Sequence, residues 1–162
     1  MKSDVKNTRQ KDLFSEAFQM VKTPIVIAIF ITPIRYILEL FGIPEHYIFI
    51  IGLLWFTLGL SVYLGIKHHQ NNRYLVLLLL GLIIFSPISR FPVAIAWLVD
   101  THWQIGTHYS LYFDNFGQAL LNHLVYGSLL QIVPGFLIGS ITFTIMRHKQ
   151  KLKLKRNTIN NG

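Results

Sequence analysis

Four long apolar segments constrain this chain more than any other feature of its sequence. They run over residues 23–41, 47–66, 74–99 and 117–146. An α-helix crosses the hydrocarbon core of a bilayer, about 30 Å thick, in about 20 residues, so each segment is long enough to span it. With 52% hydrophobic and 14% charged residues, the composition also departs from that of soluble domains. The sequence therefore predicts an all-α integral membrane protein.

The basic residues predict the orientation of these segments. Thirteen of the fifteen Lys and Arg residues lie before the first segment, in the connection 67–73 and after residue 146, and the other two connections contain none. The positive-inside rule places the three basic regions in the cytoplasm. We therefore expect an antiparallel four-transmembrane-helix bundle with cytoplasmic N- and C-termini. Because the net charge of +8 is not gathered on one folded polar face, we do not expect nucleic-acid binding.

The chain divides into three parts. Residues 1–22 carry apolar side chains at helical spacing, which predicts a cytoplasmic amphipathic leader lying on the inner membrane surface. Residues 23–146 form the predicted membrane domain, and residues 147–162 a basic cytoplasmic tail. Frequent Ile, Asn and Lys, together with the lack of an N-x-S/T sequon, favour the cytoplasmic (inner) membrane of a bacterium.

Charged and amide side chains lie inside the apolar segments. At about 1.5 Å per residue from the flanking basic residues, Glu39, Arg90 and Gln131 reach a similar depth, with Arg35 one turn deeper. Charges at such depth are costly and usually pair, so we expect Arg35 to pair with Glu39, four residues away. Two interpretations remain open: a polar clasp that holds the bundle, or a site for an anion or lipid headgroup that uses the excess positive charge.

Histidines and a carboxylate gather at the predicted outer face. Imidazole and carboxylate groups bind divalent metals, so Asp100, His102, His108 and His123 form a hypothetical metal site, although their spacing matches no standard motif. No haem is expected, because facing histidines deep in the bundle are missing. The alternative is an aromatic belt at the headgroups. Its members are Trp97, Trp103, Tyr109, Tyr112, Phe113 and Phe116.

Prolines and glycines mark two further features. Pro87 and Pro92 remove two backbone donors from the third segment, which predicts a break or kink there. Gly127, Gly135 and Gly139 form a stripe that allows a close helix approach. The stripe serves either packing within the chain or contact with a second copy or another membrane protein.

These patterns favour a non-enzymatic membrane protein that interacts with membrane lipids, either as an accessory component or as a lipid- or anion-binding one. A membrane-embedded enzyme with a metal at its outer face is one alternative, and a subunit of a small transporter or channel is another. The chain has no cysteine, which excludes thiolate chemistry and disulfides.

Overall fold

The computed structural model describes the backbone of residues 2–160 and the side chains of residues 12–44, 46–154 and 156–157. It is all-helical, with 84% helix and no strand among the described residues. A 3₁₀ turn over His108–Ser110 and a π-helical turn over Asn122–Tyr126 accompany six α-helices. These are α1 (Lys2–Leu40), α2 (Glu45–Ile48), α3 (Leu53–Lys67), α4 (Tyr74–Trp103), α5 (Phe116–Leu121) and α6 (Gly127–Asn160).

Four segments are long and apolar enough to cross a membrane. They are Asp12–Leu40, His46–Lys67, Tyr74–Trp103 and Phe116–Leu154. The predicted all-helical class and the four apolar segments are thereby confirmed. In space, α1 packs mainly on α4, α3 packs mainly on α6, and α4 contacts α6 between them.

The polar leader is continuous with the first apolar segment. Helix α1 runs without a break through the predicted boundary at residue 22, so the separate surface helix predicted for residues 1–22 is not present as an element of its own. Ala17 and Val21 are fully buried, and Val21 packs against Gly81 of α4. Burying this apolar side against α4 removes it from water, which an isolated surface helix would achieve only by entering the lipid. Met1 lies outside the described residues.

The proline pair does not interrupt α4. Pro87 and Pro92 both lie inside the helix, so the predicted break is wrong, and a kink at these positions stays a prediction. Ser86 and Ser89 are fully buried beside them, and the Ser89 hydroxyl donates a hydrogen bond of 2.9 Å to the Ser86 carbonyl. The prolines withhold a donor from the carbonyls of Ile83 and Ile88, four residues before each, and the helix nevertheless continues past both positions.

The glycines of α6 allow α3 and α4 to approach its backbone. A Cβ atom at Gly135 would lie 3.1 Å from Oγ of Ser61, and one at Gly139 would lie 2.6 Å from Cδ2 of Leu78. The close helix approach predicted from the sequence is therefore made within the chain. At Gly135 and Gly139, helices α3 and α4 occupy the surface that a second copy or another protein would otherwise contact. Near the same end of α6, the ring of Tyr74 stacks on that of Phe143 at 4.8 Å.

We expect Gly139→Leu to lower the free energy of unfolding by about 1–3 kcal/mol, because the new side chain would overpack the contact with α3 and α4. The measurement is thermal unfolding of the detergent-purified protein. Gly59→Leu is the matched control, since a Cβ at Gly59 meets nothing within 4 Å. Equal losses in the two variants would contradict the packing described for α6.

Candidate anion-binding site

Two arginines from different helices line one cavity. Arg35 of α1 and Arg90 of α4 border a space of about 330 Å³, here called the arginine cavity. The start of α3 and the segment after α4 supply the rest of its wall, with His108 and His123 as further polar groups. The other lining side chains are apolar or aromatic and include Trp55, Tyr109, Tyr112 and Phe113. A cationic group thus faces a largely apolar space.

Neither arginine is neutralised. The Nε atoms of Arg35 and Arg90 are buried without a hydrogen-bond partner, and neither residue forms an ion pair within the described part of the chain. No carboxylate is among the described residues that line the cavity. The two guanidinium groups are also close enough to repel each other. Burying charge without a partner is costly, so the cavity is electrostatically complementary to an anion.

Arg90 depends on a glycine of the neighbouring helical segment. A Cβ atom at Gly127 would lie 2.8 Å from Cζ of Arg90 and 3.1 Å from its Cδ, so any larger residue there would require the arginine side chain to shift. The π-helical turn Asn122–Tyr126 directly precedes Gly127 and carries His123. Single π turns inside α-helices occur often at functional sites, where the extra residue changes the direction of the side chains.

Glu39 is paired with the segment after α4 rather than with Arg35. Its carboxylate accepts a hydrogen bond of 2.7 Å from the His108 backbone N–H and a second one of 2.5 Å from Nδ1 of the same residue. The predicted Arg35–Glu39 pair is therefore wrong. Because a carboxylate accepts hydrogen bonds and does not donate them, Nδ1 carries the hydrogen in this contact.

A second carboxylate shapes the segment that carries His108. Asp100 is fully buried near the end of α4, and its Oδ1 accepts a hydrogen bond of 3.0 Å from the Thr107 backbone N–H. Between them, Gln104 has a φ of 50° and Gly106 a φ of 84°, a left-handed backbone that turns the chain back toward α1. The fold of this turn therefore brings His108 to Glu39.

The predicted metal ligands do not converge. Asp100 holds Thr107, and His102 is exposed with its ring 4.7 Å from that of Trp103. Within the described residues, no group of three or more His, Asp or Glu side chains is placed to hold a metal ion. Of the four, His108 and His123 do share the arginine cavity, but His108 is bonded to Glu39 there.

The remaining sequence predictions divide between core and surface. Gln131 is fully buried on α6, and its amide has no hydrogen-bond partner among the described residues, but it does not line the arginine cavity.

In the predicted aromatic belt, Trp97 and Tyr109 are buried, whereas Trp103 and Tyr112 are exposed. Nothing in the sequence pointed to Trp55 as a lining residue of the cavity. For the contact between Arg90 and Gly127, the one signal was the similar depth of Arg90 and Gln131.

We expect Glu39→Gln to speed hydrogen–deuterium exchange at the His108 amide and its neighbours, because the segment after α4 loses a charge-assisted hydrogen bond worth about 1.5–3 kcal/mol. Asp114→Asn, which neutralises an exposed carboxylate in the same segment, is the control and should leave exchange unchanged. Unchanged exchange in the Glu39 variant would mean that the turn is held by Asp100 alone.

Comparisons of the chain with protein-family models, with curated proteins and with solved structures find no match. The chemistry of the arginine cavity is therefore the basis on which a function is proposed.

Proposed function

We propose that the chain is an integral membrane protein that binds an anionic group, a phosphate or a carboxylate, in the arginine cavity. The observation that carries the proposal is that Arg35 and Arg90 line one cavity and that their buried Nε atoms have no partner among the described residues. A guanidinium group presents a planar fork of donors that matches both kinds of anion. In desolvated surroundings such charge-assisted hydrogen bonds are stronger than in water.

An anion site explains the arrangement better than a polar clasp does. In a clasp, Glu39 or Gln131 would lie between the two arginines and neutralise or bond them. Glu39 is instead held by His108, and the Gln131 amide forms no hydrogen bond to either arginine. A bound anion would supply the partner that the described residues do not.

The walls of the cavity restrict the ligand further. Aromatic side chains, among them Trp55 and Phe113, surround the arginines, so a small fully hydrated anion would lose water contacts that the walls cannot replace. An anion attached to an apolar group fits the lining better. A lipid headgroup and a free amphiphile share this chemistry, and both fit an accessory, lipid-interacting role.

The same proposal includes an antiparallel bundle with both termini in the cytoplasm, in the inner membrane of a bacterium. In support, residue numbers fall along α6 as they rise along α4. Gly139 lies against Tyr74, Gly135 against Leu82, and Gly127 against Arg90. Arg147 also donates a hydrogen bond of 2.6 Å to Asn72, which joins two of the three basic regions. The positive-inside rule then puts the arginine cavity near the outer leaflet.

We expect a cysteine at His102, but not one at Asn71, to react with a membrane-impermeant maleimide in intact cells, because the two positions lie on opposite sides of the proposed topology. The chain has no cysteine of its own, so each variant carries a single reactive thiol. Lysed cells provide the control, in which both should react. Labelling of the Asn71 variant alone in intact cells would mean that the orientation is opposite to the proposed one.

We expect Arg35→Gln and Arg90→Gln each to weaken binding of hexyl phosphate or hexanoate about tenfold or more, because each removes charge-assisted hydrogen bonds worth about 1.5–3 kcal/mol. Binding is measured by calorimetry on protein in a neutral maltoside detergent. Arg73→Gln changes an exposed arginine outside the cavity and is the matched control.

A third variant distinguishes the loss of an arginine's charge from a displacement of the arginine. Gly127→Ala keeps both arginines but forces Arg90 away from its place, so it should also weaken binding. Binding that is equal in the parent and in all three cavity variants would overturn the proposed function.

A further inference from the structure

A second cavity lies between α1 and α3. It has a volume of about 660 Å³ and is called here the α1–α3 cleft. Its walls are largely apolar and include Pro24 and Ile27 of α1 and Phe56, Gly59 and Leu60 of α3. Its far end is polar and is lined by Glu16, Lys67 and His68.

The α1–α3 cleft and the arginine cavity lie along the same two helices. On α3, Phe56 of the cleft directly follows Trp55 of the arginine cavity. On α1, Arg35 lies eight residues after Ile27, a rise of about 12 Å. The two helices pack mainly on α4 and α6 rather than on each other, which leaves the space between them open.

We infer that the α1–α3 cleft holds the hydrocarbon chain of a lipid whose anionic group is bound by Arg35 and Arg90. The inference rests on the proposed function and names its ligand class, an anionic lipid with a long acyl or alkyl chain. An apolar chain in the cleft gains van der Waals contacts with its apolar walls, and the cleft lies along the same two helices as the cationic site.

The charges favour this direction of binding over the reverse one. At the far end of the cleft, the Lys67 ammonium already lies over the Tyr63 ring, 5.4 Å from its centre. In the arginine cavity, by contrast, the buried Nε atoms of Arg35 and Arg90 have no partner among the described residues. An anionic group therefore gains more at the arginines, with its chain extending toward Lys67.

Gly59 provides the means to test the path of the chain. A Cβ at this position meets nothing within 4 Å, so a larger side chain can be placed there without disturbing the packing. Gly59→Leu would fill the cleft while leaving Arg35 and Arg90 unchanged. Val76→Phe enlarges an exposed side chain of α4 that lines neither cavity and is the matched control.

The experiment compares hexyl phosphate with hexadecyl phosphate, and hexanoate with hexadecanoate, on the full chain at one fixed concentration of maltoside detergent. In the parent, the long-chain member of each pair should bind at least about tenfold more tightly, because its extra methylenes make van der Waals contacts with the walls of the cleft. In Gly59→Leu that ratio should fall toward one, while the affinity for the short-chain member stays as in the parent. Because parent and variants are measured at one detergent concentration, the partition of each ligand into micelles is the same for all of them and cancels in the comparison.

The possible results separate the inference from the proposed function. Short-chain binding that depends on Arg35 and Arg90, together with a long-chain gain that survives Gly59→Leu, would overturn the inference and leave the anion site standing. Binding of either chain length that ignores both arginines would overturn the proposed function itself. A long-chain gain seen only with the phosphates, or only with the carboxylates, and lost in Gly59→Leu would identify the anionic group of the lipid and support the inference.

Discussion

The two hydrogen bonds between Glu39 and His108 determine what the rest of the site can do. They join residues 69 positions apart in the chain and fix the segment after α4 against the end of α1. They also engage the Glu39 carboxylate, which is the carboxylate nearest to Arg35 in the sequence. The positive charge on Arg35 and Arg90 is therefore left without an anion among the described residues. The cavity that they share stays cationic because Glu39 is bonded to His108 and not to either arginine.

Two kinds of polar side chain inside the bundle have different consequences. Thr57 and Ser61 of α3 are fully buried, and each hydroxyl donates to the carbonyl four residues earlier, at 2.6 and 2.9 Å. Short hydroxyl side chains can do this within their own helix and so need no outside partner. The long side chains of Arg35 and Arg90 extend away from their helices, so their charge must be balanced by another part of the chain or by a ligand.

Sequence reasoning predicted the helical class and the four apolar segments, because length and hydropathy are properties of each segment alone. It also placed Arg90 and Gln131 at a similar depth, in agreement with the contact between Arg90 and Gly127 one turn away. It failed where the outcome depended on a turn. The pairing of Glu39 with His108 requires the left-handed backbone at Gln104 and Gly106, and helical spacing alone made Arg35 the nearer partner for Glu39. The predicted metal site failed for the same reason, since Asp100 is used to hold that turn.

The π-helical turn over Asn122–Tyr126 makes the site separable from the scaffold in evolution. Such a turn contains one residue more than the α-helical turn it replaces. Loss of a single codon within it would restore a regular helix and leave the glycines from Gly135 onward in contact with α3 and α4. The same loss would rotate His123 relative to Gly127 and to the arginines. A descendant with a one-residue deletion there could therefore keep the bundle and lose the pocket, so the length of this short segment is a marker for which related chains retain the site.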